Sequence, residues 1–391
     1  MEKKNKNLRI LTLVSLVLGS AFNAYGQQDK AIVIKPQTEI RVDPIRIYGH
    51  AEVAIANNFM LKYPAKTDLK PSLITSQSDK DFIDNVAFDA NVKLGFETKF
   101  YVEEKITKAV LEFSADTETV KLAKLYFENN GWSAGLKPNN FCNIATFAPQ
   151  KVLLLGWNKE INSNFTFGIS LEQAKKFEFY PEDKKEEIEK SKVKLRQELP
   201  AVSTRVQYNF ADKFASVELS LLARPMGIYN TITKKTAHEF GYGANLGTKF
   251  NFVPKKDKMT FNVVFGEGIG NYITDLKEMG KIEENTAYIK PTATGTDVKL
   301  ISAVGAHAIY EHRWTSSVRF SIAAGGTNIL NSEKQHGPKK YLRGGYAAFK
   351  LMYFPTKKTG FGVEYMGGAK VTLDENYEHA HHLKALAEFK F

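Results

Sequence analysis

The chain has 391 residues, including 27 Phe and 17 Tyr, with a single Cys and a formal net charge of +11. One cysteine excludes a disulfide-stapled scaffold. No segment beyond residue 26 has eighteen consecutive apolar residues, which excludes a bundle of membrane-spanning helices.

The N-terminus carries Lys3, Lys4, Lys6 and Arg9, then an apolar run over 11–22 and small residues at Ala24 and Gly26. This is the pattern of a cleaved secretory signal over 1–26, and the run is too short to span ~30 Å of hydrocarbon as a helix. An exported protein rarely meets nucleic acid, so no nucleic-acid partner is expected. The basic surplus is read instead as attraction for anions, or for an anionic outer-surface lipid such as lipopolysaccharide. Residues 27–44 form a polar, Pro-containing periplasmic lead. Its run 31–35 is either a short strand or a plug piece.

From residue 45 the chain alternates with a period of two, the mark of strands with one greasy and one wet face. Over 45–55, Ile45, Ile47, Ala51, Val53 and Ile55 share one face, and Arg46, Tyr48, His50 and Glu52 the other. Over 86–102, Phe88, Val92, Leu94 and Phe96 oppose Asp89, Asn91, Lys93, Glu97 and Lys99. Further strands are expected at 106–116, 119–129, 132–137, 152–157, 164–172, 201–210, 214–223, 240–252, 258–266, 298–310, 313–323, 342–354 and 360–369. The last, 382–391, puts Leu383, Ala385, Ala387, Phe389 and Phe391 on one face and His382, Lys384, Glu388 and Lys390 on the other, for sixteen strands in all.

The connections alternate in length. Those at 56–85, 173–200, 224–239, 267–297 and 324–341 are long; those at 103–105, 211–213, 253–257, 311–312 and 355–359 are short. The stretch 370–381 is intermediate, and the connection near Thr117 is short although it falls on the long-loop side. Long loops on one rim and short turns on the other mark an outer-membrane barrel, whose aromatics form girdles at both interfaces. The expected fold class is therefore all-β: a transmembrane antiparallel β-barrel over 45–391, in the outer membrane of a Gram-negative bacterium. Its final aromatic strand is what the barrel assembly machinery reads. Residues 183–198 are dense in mixed charge and read as a short solvated helix or a surface loop.

The strand at 258–266 runs into Gly266-Glu267-Gly268-Ile269-Gly270 and then Tyr272-Ile273. This resembles the DcaP-like family of trimeric outer-membrane porins. Residues 45–52, 122–136, 200–208 with Arg205, 350–355 and 362–365 resemble further pieces of that family, in order. Gly135-Leu136-Lys137-Pro138 stands where the family enters its pore loop on a Gly-Gln-Thr-Trp-like sequence, and Asn271 where it often has Arg. The resemblance implies a homotrimer of barrels that passes small anionic solutes, dicarboxylates among them.

Parity places Arg46, Lys93, Lys99, Lys124, Arg205, Arg313, Arg319 and Lys350 on the lumen wall, facing acids that include Glu364. Opposed charges orient a polar solute, and a basic surplus favours anions. The alternative is that these charges simply pair off as a wall lattice. Residues 139–150, with Asn139, Asn140, Phe141, Asn143 and Phe147, are moderately apolar and follow a Gly-rich turn, so they are the candidate constriction loop. Cys142 has no activating base nearby in sequence and reads as unreactive. Neighbouring strand residues point to opposite faces, so His381 and His382 do not share an ion with His379, and no metal or other cofactor is expected. Gly266 to Gly270 is not followed by a helix pattern and is read as a tight outer loop, not a phosphate cradle. The expected function is passive diffusion and not enzymatic. The alternatives are a barrel hydrolase, for which no triad spacing stands out, and an adhesion barrel whose long loops bind a partner.

Overall fold

The computed structural model describes residues 40–59, 71–74, 86–102, 105–117, 119–141, 151–173, 179–181, 193–196, 199–210, 214–277, 287–291, 296–331 and 341–391. The signal at 1–26, the run 31–35 and most of the 27–44 lead lie outside them.

Sixteen strands form the wall. In chain order they are β1 (Arg46–Phe59), β2 (Val86–Val102), β3 (Lys105–Ala115), β4 (Val120–Asn129), β5 (Trp132–Pro138), β6 (Lys151–Glu160), β7 (Phe165–Glu172) and β8 (Ala201–Asn209). Then follow β9 (Ala215–Asn230), β10 (Thr236–Val253), β11 (Asp257–Glu267), β12 (Ser302–Arg313), β13 (Val318–Ile329), β14 (Tyr341–Tyr353), β15 (Thr359–Thr372) and β16 (Tyr377–Lys390). Each pairs antiparallel with the next, and β16 pairs back on β1, so the barrel is closed. Closure leaves no unpaired edge, the condition for a sheet to sit in hydrocarbon.

The two parities carry different chemistry, as the period of two requires. Ile47, Val53 and Ile55 of β1, Phe88 and Val92 of β2, Leu219 and Leu221 of β9, Phe261 and Phe265 of β11, and Phe361, Val363 and Tyr365 of β15 are large, apolar and exposed. The opposite parity carries buried polar groups: Glu112, Glu218, Asn245, Asn262 and Lys384. An apolar exterior of this extent suits lipid rather than water.

Several expectations need correction. Residues 224–239 are not a long loop: β9 and β10 continue upward through them, with Tyr229 opposite Thr236 and a connection of only 231–235. Pro225, which has no N–H to give a ladder, lies within β9. Here β8 pairs β9 only up to Ala223, and the strand Val193–Leu195 pairs it from Ile228 to Asn230, so Pro225 falls in the gap between two neighbours. That same strand corrects the helix reading of 183–198: its described residues Val193–Leu195 are extended, and most of the remainder lies outside the described residues. Finally, the expected strand at 298–310 is two pieces. Thr296–Leu300 joins Ala287–Pro291 and Phe179–Pro181 in a separate small sheet, and Asn331 bridges the break by accepting from the Ser302 N–H (2.9 Å) and donating to the Leu300 carbonyl (3.0 Å).

The last hairpin is tighter than expected, since β16 begins at Tyr377 and only 373–376 connect it to β15. In this turn the Asp374 carboxylate accepts hydrogen bonds from the Thr372 hydroxyl and from Asn376 Nδ2 (2.6 Å). The Thr372 bond, followed by the backbone and side-chain bonds around Asn376, holds its pKa below the ordinary carboxylate value. A depressed folded pKa stabilises the turn fully above the unfolded value of roughly 3.9 and is lost only as pH falls through the lower folded value. Amide exchange across 372–376 is therefore expected to stay slow down to that pH and to quicken below it. Asp374→Asn should remove the pH dependence.

Candidate pore

Three connections from the long-loop rim turn into the lumen instead of outward. Residues 139–141 leave β5 and pack on the inner wall. Asn139 Nδ2 donates to Glu172 (3.1 Å), Asn140 Nδ2 to Ser170 Oγ (3.2 Å), and the Phe141 carbonyl accepts from Asn245 Nδ2 (2.9 Å). Phe141 is fully buried in a cluster with Ala201, Leu222, Val264 and Ala303. Asn143, Phe147 and the rest of 142–150 lie outside the described residues.

The second segment corrects the tight-outer-loop reading of Gly266 to Gly270. Gly268 takes φ +68°, a left-handed conformation that a Cβ disfavours. The chain then turns through a 3-10 helix (Gly270–Tyr272) and a short helix (Thr274–Lys277). Ile269, Tyr272, Ile273 and Leu276 are buried in the same cluster as Phe141, and the Phe141 and Tyr272 rings meet edge-on at 5.6 Å. Arg224, buried on β9, pins this segment: it donates to the Gly268 carbonyl (3.1 Å) and to Asn271 Oδ1 (2.7 Å) and lies over the Tyr272 ring (5.5 Å). Asn271 thus receives an arginine from the wall.

The third segment is Pro71–Leu73, on the connection after β1. The Ser72 N–H donates to Asp275 Oδ1 (2.9 Å), Tyr341 Oη donates to Asp275 Oδ2 (2.6 Å), and Lys370 Nζ donates to the Ile74 carbonyl. Asp275 therefore ties two infolded segments to the wall. The lumen accepts them because its inward positions at this height include apolar residues, Leu222, Val264, Ile301 and Ile329, beside the polar groups that hold them.

Elsewhere the inner wall is a lattice of ion pairs. Lys108 meets Glu97 (3.0 Å), Lys137 meets Glu128 (2.5 Å), Arg205 meets Glu218 (3.8 Å) and Lys370 meets Glu378 (2.9 Å). Glu112 takes Lys124 (2.6 Å) and the Tyr48 hydroxyl (3.2 Å). Glu364 sits between Lys384 (3.1 Å) and Lys350 (3.6 Å). Of the nine wall residues expected from sequence, Lys124, Arg205, Lys350 and Glu364 belong to this lattice. Arg46, Lys93, Lys99, Arg313 and Arg319 also occupy the inward parity but make no ion pair among the described residues. All of these except Lys93 lie at the short-turn end, near the start of β1 and β13 or the end of β2 and β12. Four of these five positive charges thus gather at one mouth.

Sequence reasoning missed Arg224, Asp275, Lys370 and Asn245. The first stood in an assumed loop and the second beyond an assumed turn; nothing in a single strand's alternation reveals what docks on it. His381 points outward, with Nδ1 2.7 Å from the Tyr365 hydroxyl, while His382 is buried on the inward parity. Among the described residues, His50, Glu52 and Glu388 bring possible ligand atoms within 4.8 Å of one another; Glu388 already holds Lys390 (2.8 Å).

No family model matches the sequence, and no curated protein matches it. Solved structures do. The crystal structure of the outer membrane channel DcaP of Acinetobacter baumannii superposes with a TM-score of 0.72 at 16% identity, over 90% of this chain and 97% of that one. An anion-selective porin from Comamonas acidovorans gives 0.55 at 8% identity, over 90% and 100%. OprB of Pseudomonas putida, in a high-pH structure, gives 0.52 at 7%, over 89% and 94%. At these identities the likeness establishes a shared fold, that of the outer-membrane channel barrels.

Proposed function

We propose that this protein is a porin of the Gram-negative outer membrane, through which small polar solutes diffuse passively with a bias toward anions such as dicarboxylates. The observation that carries the reading is the combination of a closed, apolar-skinned barrel with a charged lumen narrowed by infolded loop segments. Size restriction falls to 139–150 together with 268–276. Arg46, Lys93, Lys99, Arg313 and Arg319 attract anions, because their charges are not neutralised on the wall. The lattice around Lys124, Arg205, Lys350 and Glu364 supplies a transverse field that orients a polar solute. No covalent step is needed. The signal pattern, the exterior and the final aromatic strand fit export, lipid and lipopolysaccharide contact, and insertion by the barrel assembly machinery. A homotrimer follows the sequence resemblance.

Single-channel recording of the purified protein in a planar bilayer under a salt gradient tests this directly. Discrete conductance with an anion-selective reversal potential is expected. Absence of conductance defeats the porin reading, and a cation-selective reversal defeats the anion bias alone.

Glu364 offers a sharper variant. Glu364→Gln removes the carboxylate shared by Lys350 and Lys384 and so makes the wall more positive by one charge. The reversal potential is expected to shift further toward the anion side. A shift toward cations would show that the lattice does not govern selectivity.

A further inference from the structure

Arg313 and Arg319 stand directly opposite each other across β12 and β13, both on the inward parity. Like charges in such a pair repel. Neither guanidinium makes an ion pair among the described residues, and Arg319 Nε is buried with no hydrogen-bond partner. The nearby acids are already engaged: Glu311 by Lys258 (3.1 Å), Glu388 by Lys390 (2.8 Å), Asp257 by the Tyr310 hydroxyl (2.6 Å) and His312, and Glu364 by its two lysines. The Arg319 guanidinium is held over the Phe354 ring at 4.2 Å, with Lys390 Nζ 5.7 Å from the same ring. Phe354 is itself fixed by packing on Ala54, Met352 and Leu386. Beside these groups lies a cavity of about 310 Å³, lined also by Ser321, Lys256 and Lys350 and by the engaged carboxylates Asp257, Glu311 and Glu388.

We propose that this cavity is a binding site for a small oxyanion, a carboxylate or phosphate group, at the short-turn mouth of the channel. Two guanidinium groups present paired N–H donors that match the oxygens of such a group, and their combined charge fits a dianion better than a halide. Phe354 and Met352 leave an apolar side for a short organic body. The repulsion between Arg313 and Arg319 is relieved when the anion lies between them, so the pair is primed for an occupant. In transit, the site is the last stop before release, and it makes the two sides of the channel unequal. The transit role rests on the porin reading; the binding site does not.

The test uses the purified full-length protein, titrated calorimetrically with inorganic phosphate and separately with succinate. Each anion is also added to one side or the other of a bilayer carrying chloride current. Saturable binding of at least one anion is expected, with current block at lower concentration from the short-turn side. The two probes distinguish a phosphate site from a carboxylate site. Arg313→Gln with Arg319→Gln should abolish saturable binding. Arg319→Lys keeps the charge but loses the fork, and should weaken binding roughly tenfold. Chloride current without saturable binding of either anion overturns the site and leaves the porin reading standing. Saturable binding without current supports the site and defeats the porin reading. Binding that persists unchanged in the double variant, shown by gel mobility to be folded, overturns the assignment.

Discussion

Arg224→Ala is expected to raise the single-channel conductance severalfold while leaving the barrel intact. The guanidinium is fully buried, and it is the wall group that holds the Gly268 carbonyl and Asn271 Oδ1. Its removal leaves the buried Gly268 carbonyl without that donor, at a cost of about 1–3 kcal/mol, and takes the arginine from the half-buried Asn271 Oδ1. It also takes away the cation lying over Tyr272. The apolar cluster around Ile269, Tyr272, Ile273 and Leu276 and the Tyr341–Asp275 hydrogen bond then have to hold the segment without it. The β9–β10 ladder does not depend on this side chain, because its register is made by backbone. Undocking of 268–276 widens the lumen and exposes the segment to protease. Tyr272→Ala should move conductance in the same direction by a different route, since it removes the ring that meets Phe141. A folded Arg224→Ala protein with unchanged conductance and a protease-resistant segment would show that the loop does not depend on this anchor.

That prediction depends on something a single strand does not reveal. The sixteen strands were legible because lipid on one side and water on the other impose one period on every wall segment. β1 and β16 displayed it in full: Ile47, Val53 and Ile55 against Arg46 and Glu52, and Leu383 and Phe389 against Lys384 and Lys390. The strand 215–230 runs past Pro225 because the rule against proline in a sheet holds only where a neighbouring strand needs its N–H, and here Pro225 falls between two neighbours. The infolding of 268–276 left a readable trace. Ile269, Tyr272, Ile273 and Leu276 are too apolar for an exposed loop, the same argument that singled out 139–150. For the wall charges, parity decides which face a side chain takes, but register decides its partner. Glu364 meets both Lys350 and Lys384 only because β15 aligns opposite each of them. Arg313 and Arg319 were expected on one strand, 313–323, after a turn at 311–312; the turn instead falls at 314–317 and sets them opposite each other across β12 and β13.

Register also governs the seam where the barrel closes. There Gly49 and Phe391 exchange backbone hydrogen bonds, 3.2 Å in each direction, beyond the last pair of the β1–β16 ladder. The Phe391 ring lies across Gly49 so closely that a Cβ on the glycine would sit 2.0 Å from it. The aromatic thus covers the backbone that glycine leaves bare, which pins both the register and the end of the ladder. A one-residue slip at this seam would turn Phe389 and Leu383 inward and Lys384 and Lys390 toward lipid, reversing the chemistry of the strand. Phe391→Ser is therefore expected to reduce the yield of folded, outer-membrane-inserted barrel severalfold while leaving the conductance of those channels that do form unchanged. Gly49→Val should produce the same defect from the other side of the seam, by driving the ring away. Heat-modifiable gel mobility of the membrane fraction measures the folded share, and bilayer recording measures the channel. Full insertion of both variants would show that the seam closes without this pair. Normal yield with altered conductance would place Phe391 in the permeation path instead of the wall.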